Sequence, residues 1–233
     1  MSDFAAAMGT MRVALRQAVV APSRHDEAQP QPAPLPVASA PGREELSAQF
    51  VRELEALGGK ALTAASTQAA IDAVLDLAQV LNFKSAAIGD GVRTDLRPLG
   101  EALSRHNVAV LDAARVSEEK RQESRAKLAG CDAGIVEADY AVAASGTLVL
   151  VPTPARPRSL SLVPPVNVVL LRVDFIVPDL AALMSALGAD IVANNPVAFV
   201  TGPSRTADIE KRIVKGVHGP KALYAVLIQP APS

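Results

Sequence analysis

Cysteine is almost missing from this chain: Cys131 stands alone among 233 residues. One thiol can form no intrachain disulfide, and it cannot supply the thiolate set of an iron–sulfur cluster or a structural zinc. The chain is therefore expected to bind no redox cofactor itself, and a reducing cytoplasm is the expected compartment. Aromatic residues are also scarce, at 3%, and the formal net charge is only −1. Without a basic footprint or stacking platforms, nucleic-acid binding is not expected. No apolar run reaches the roughly 18 to 20 residues needed to span a bilayer. The N-terminal stretch is interrupted by Arg12 and Arg16 and lacks a convincing leader cleavage site. Metal-ligand patterns are missing too: there is no HExxH and no spaced His/Asp cluster, His25 lies in a proline-rich stretch, and His106 lies at a helix end. No metal site is expected.

What the chain does have is apolar material, 49% of its residues, enough for one sizeable core and a small appendage. Residues 1–21 carry Met8, Met11, Leu15 and Val19 at spacings of three and four, which predicts a short amphipathic helix. Residues 22–41 repeat proline and alanine and read as an extended linker. One domain is expected over 42–233. It opens on a helical face of Leu46, Phe50, Leu54 and Leu57 that stops at Gly58 and Gly59. After the brief ALTAA segment, Ser66 is placed to cap a helix bearing Ile71, Val74 and Ala78. Strands then alternate with helices as far as Leu128, the pattern of a largely parallel α/β sheet.

The second half crowds its strands together. Apolar runs in AGIVEADYAVAASGTLVLVP, LSLVPPVNVVLLR, VAFVTGPS and KALYAVLIQP are separated by only two expected helices, at 179–188 and 206–216. Strands without helices between them predict antiparallel pairs mixed into the sheet.

Three stretches could hold a ligand. In VAFVTGPSRTADIEKRIVKG, the chain leaves a strand at Gly202 and Pro203, and Ser204, Thr206 and Asp208 precede the expected helix. That is the place where open α/β sheets bind anions, yet helix capping alone accounts for the same residues. In VHGPK, His218 can serve as acid, base or anion binder near neutral pH. Gly219 sits in its turn and Lys221 can hold an anion as a point charge. A turn histidine bonded to a nearby carbonyl explains the same residue. A ten-residue helix would also keep the GPS and HGP turns about 15 Å apart, unless the chain climbs back before an antiparallel last strand. In EADYAVAASGTLVL, Ser145, Gly146 and Thr147 can cradle a phosphate or carboxylate, with Glu137 as nucleophile or base; a plain tight turn beside two solvated acids is the alternative. Arg156 and Arg158 of RPRSLSLVPP can meet an anion or simply be solvated. SAAIGDGV, residues 85–92, resembles half of a nucleotide loop without completing a GxGxxG or GxxxxGK[ST] pattern.

EADYAVAASGTLVLVP, RSLSLVPPVNVVLL and TGPSRTADIEKRIVKGVHGPKAL, in this order and near these separations, resemble the LUD-domain family over about residues 43 to 229. The resemblance implies a fold similar to the NagB, RpiA and CoA-transferase group: α/β, with a mixed, mostly parallel sheet and flanking helices. It also implies a non-cluster component of L-lactate oxidation to pyruvate, working beside subunits that carry the iron–sulfur clusters and binding a small carboxylate or phosphorylated ligand. The candidate ligand-binding residues are Ser145, Gly146, Thr147, Arg158, Gly202, Ser204, Thr206, Asp208, Gly219 and Lys221, with Glu137 and His218 as the candidate catalytic groups; a stand-alone enzyme would need Glu137, Thr147, Ser204 and His218 in one pocket of a single chain. Family members often place an acid and a threonine before the central glycine. This chain has Ala143, Ala144 and Ser145 there, which leaves Glu137 as the nearest acid and argues against glutamyl-thioester chemistry. The competing expectation is a stand-alone isomerase or acyl-transfer enzyme acting on a phosphosugar or acyl substrate. Whether the chain is itself catalytic, and whether it self-associates, is open at the level of sequence.

Overall fold

Side chains alternate across a strand, and in β7 (Val166–Arg172) that alternation separates two cores. Val168 and Leu170 pack into one apolar cluster, and Val169 and Leu171 into another on the opposite face. β7 is central in a six-stranded sheet with β1 (Lys60–Ala64), β2 (Ser85–Ile88), β3 (Ala109–Asp112), β4 (Ala133–Glu137) and β12 (Ala222–Ile228), in the order β1-β12-β7-β4-β2-β3. Every pairing in it is parallel. The structure, a computed structural model, describes residues 40–113, 121–194, 196–207, 213–215 and 219–230. The expected N-terminal helix and almost all of the expected linker lie outside these residues.

One face of the sheet is covered by α2 (Thr67–Val80) and α3 (Arg97–Arg105), through Ile71, Val74, Leu99 and Leu103. As the sequence predicts, Ser66 caps α2, its side chain accepting from the Ala69 amide at 3.1 Å. The other face receives Phe50 and Leu54 from α1 (Ala40–Ala56) and Leu128 from α4 (Arg121–Ala129). It also receives a second sheet of four strands, in the order β8-β5-β6-β9. These are β5 (Tyr140–Val142), β6 (Thr147–Leu150), β8 (Ile176–Val177) and β9 (Ala198–Val200). Ala141, Leu148 and Leu150 face the six-stranded sheet, whereas Tyr140, Val142, Val149 and Val151 face α5 (Leu180–Asn194), which is broken at Gly188 (φ 74°).

The crowded strands of the second half thus form their antiparallel pairs, β5 with β6 and β6 with β9, in this second layer and not within the main sheet. The chain turns a corner at Ala138 and Asp139, where β4 passes into β5. The last strand is parallel to both its neighbours.

A second correction concerns the helix expected over 206–216. Residues Arg205–Ala207 (β10) and Ile213–Lys215 (β11) form an antiparallel pair, with Thr206 opposite Val214. Three of the six paired residues, Thr206, Ile213 and Val214, are β-branched and favour extended backbone. The Glu and Lys between them are good helix formers and gave the stretch its helical pattern; pairing overrides that propensity. Capping of a helix therefore does not explain Ser204 or Thr206.

Candidate functional site

At the carboxyl edge of the main sheet, where β4 ends, Glu137 is completely buried. Its Oε2 accepts from three successive amides, Val92 at 2.6 Å, Arg93 at 2.9 Å and Thr94 at 3.0 Å. The Thr94 hydroxyl donates to Oε1 at 2.9 Å. Gly91 makes this possible, since a Cβ there would lie 1.7 Å from the Thr94 carbonyl and 3.1 Å from Glu137 Oε2. Two residues on, buried Asp139 accepts from the Val151 amide at 2.7 Å and from both terminal nitrogens of Arg156, at 3.1 and 3.3 Å. Arg156 also donates to the carbonyls of Glu137 and Val151. Arg93 donates to the Asp139 carbonyl and lies 3.5 Å from the centre of the Phe175 ring. Burial lowers the Arg93 guanidinium from its ordinary value, against the opposing pull of Tyr140, Asp139 and Glu137. Every acid in this corner is bonded, so its evident work is to lock the β2–α3 loop and the β4–β5 turn together.

A different group gathers at the amino edge. β6 and β9 run antiparallel, so Thr147 at the start of one meets Thr201 just past the end of the other, with hydroxyls 2.9 Å apart. The Ser145 hydroxyl is 2.7 Å from that of Thr147. Gly146 is left-handed (φ 58°), and a Cβ on it would lie 2.3 Å from the Leu54 amide of α1. The glycine thus allows close packing of this turn on the helix. Gly202 is also left-handed, packed over Leu57. The chain then reaches Ser204, whose amide donates to the Pro220 carbonyl at 2.9 Å; a Cβ on Gly219 would lie 3.0 Å from that of Ser204. Ser204 and the Gly219–Pro220 turn thus meet at the start of β12.

The expected residues therefore divide. Ser145, Gly146, Thr147, Gly202, Ser204 and Gly219 converge at the amino edge. Glu137 lies at the opposite edge, at the carboxyl end of β4, whose five residues span roughly 15 Å. Thr206 follows Ser204 in β10, while Asp208 and His218 fall outside the described residues. The exposed Lys221 follows Pro220, its amide held by the Pro165 carbonyl. Arg158 lines a void of about 10 Å³ with Val136, Ser161 and Ala198, room for about one water and too small for an organic acid. Thr201, which joins the hydroxyl chain, and Thr94 and Arg93, which build the carboxyl-edge corner, were not anticipated from sequence. For Thr201 the adjacent TGPS turn was the available signal. Thr94 and Arg93 gave none beyond the incomplete glycine pattern of SAAIGDGV.

Residues 47–228 match the family model described as the LUD domain. An uncharacterized protein of Escherichia coli (strain K12), YkgG, is 35% identical over 164 residues, covering 68% of this chain and 69% of that protein. Lactate utilization protein C of Halalkalibacterium halodurans is 35% identical over 140 residues, 58% of this chain and 59% of that protein, so this match spans less than two thirds of the relative. Among solved structures, a DUF162 family protein from Deinococcus radiodurans matches with a TM-score of 0.60 at 20% identity, covering 80% of this chain and 98% of that one. At that identity the likeness is one of fold.

Proposed function

Because this chain belongs to the LUD-domain family, we propose that it is a component of L-lactate utilisation that holds a small carboxylate or related anion and associates with iron–sulfur partner subunits. The observation that carries the reading is the match over residues 47–228, joined with relatives named for lactate utilisation. On this reading the protein works in the cytoplasm, and the electrons of lactate oxidation pass through clusters on its partners, since one cysteine cannot ligate a cluster.

The anion is assigned to the amino edge. Hydroxyls of Ser145, Thr147 and Thr201 lie in one chain of contacts there, and Ser204 abuts the Gly219–Pro220 turn. Hydroxyls and turn amides suit an acid of lactate's size. Ser145 and Thr201 are exposed and reachable, whereas Glu137 is buried and fully bonded. That contrast favours a binding component over a stand-alone enzyme built on Glu137.

The test has two arms. Tagged full-length chain, purified from cells grown on L-lactate, should retain proteins with iron–sulfur absorbance. The purified chain should also be raised in Tm by L-lactate or pyruvate, and Thr147→Val should abolish the shift. Failure of both arms would sink the proposal.

A further inference from the structure

The stretch SAAIGDGV gives its Val92 amide to Glu137, yet the rest of it lies at the carboxyl end of β2, a position in this sheet suited to a ligand. From β2 the chain crosses outward to β3 through α3 on one face, then returns through α4 on the other face to β4, on the far side of β2. β2 and β4 therefore flank the topological switch point, beyond whose carboxyl ends open parallel sheets bind their ligands. On the β3 side of β2, next to that point, a cleft of about 950 Å³ opens between the loop Gly89–Leu96, α3 and the end of β3. That volume suits a cofactor-sized molecule.

Three observations decide its chemistry. First, the amides of Val92, Arg93 and Thr94, which would cradle a pyrophosphate, already hold the Glu137 carboxylate; a phosphate on them would have to displace a buried anion. Second, the lining carries the carboxylates of Asp90, Asp95, Glu101 and Asp112 against the guanidinium groups of Arg97 and Arg105. Arg97 is itself bound to Asp95 at 2.8 Å. This balance disfavours a small carboxylate and suits a neutral, hydroxyl-rich molecule. Third, Asp112 ends β3 directly opposite Ile88, about 20 residues beyond the glycine loop, where dinucleotide folds place the acid that takes a ribose hydroxyl. Asp112 already takes part in an interaction within the chain, but a carboxylate accepts from several donors at once. Beside it, Ile88, Leu96 and Val110 give the cleft an apolar wall, next to Gly100, which has no side chain to fill the space.

We propose that this cleft binds a ribonucleoside, its ribose diol at Asp112 and its base against the Ile88, Leu96 and Val110 wall. The site is separate from the anion cluster at the amino edge. Isothermal titration of the full chain with adenosine, guanosine, cytidine and uridine tests it directly. At least one should saturate with a Kd below about 1 mM and bind about tenfold more tightly than its 2′-deoxy form, as expected for losing one hydrogen bond to a charged acceptor. Asp112→Asn should erase that discrimination. Gly100→Leu, which fills the cleft, should abolish binding, as should Ser104→Phe, whose site on α3 is exposed and outside the core. Saturation by none of the four, equal affinity for the deoxy form, or full binding in both filling variants would overturn the proposal.

Discussion

At the scale of single residues, Glu137 is the most instructive. Sequence makes it a candidate base, but its environment makes it a keystone: four donors converge on two oxygens in a fully buried site. Removing it strands three amides and a hydroxyl in a buried site. Glu137→Ala is therefore expected to lower stability by about 3 kcal/mol, read as a lower urea midpoint. A variant of wild-type stability with a specific functional loss would instead return Glu137 to a catalytic role. Gly146 gives a parallel case. Its left-handed backbone and the 2.3 Å approach to the Leu54 amide leave no place for a Cβ. Gly146→Ala should cost about 3 kcal/mol, measured by the same melt, and so its loss of function would say nothing about ligand binding by the SGT turn.

At the scale of elements, local signals were legible wherever one element settles its own ends. The Ser66 cap, the halt of α1 at Gly58 (φ 87°) and the break at Gly188 follow from capping and glycine chemistry. Pairing was not legible. TADIEKRIVKG has the composition of a helix, yet Arg205–Ala207 pairs with Ile213–Lys215, and nothing local announces that pairing. The same limit hid the division of the crowded strands into two sheets, because burial on both faces reads alike in either layer. The hairpin predicts its own test. Val214→Pro puts a residue with its φ fixed at about −65° into the paired stretch, opposite Thr206. Amide exchange at Arg205–Ala207 should accelerate while that of β12 is kept. Unchanged protection at 205–207 would contradict the pairing.

At the scale of the whole molecule, the fold class was legible and the geography of the sites was not. Alternating strands and helices announced a parallel α/β sheet, but nothing in the sequence indicated that Glu137 would lie at the opposite edge of that sheet from Thr147 and Ser204. Ser145, Thr147, Ser204 and Gly219 come together only because β5 turns back over the sheet at Asp139 and β6 and β9 then carry their turns to the start of β12. The cleft between β2, α3 and β3 depends likewise on strand pairing, which no motif records. The central claim is the role in L-lactate utilisation, and growth tests it most directly. A strain lacking this gene should fail on L-lactate as sole carbon source, grow normally on pyruvate, and recover when the intact chain is restored; wild-type growth of the deletion strain on L-lactate would contradict the account.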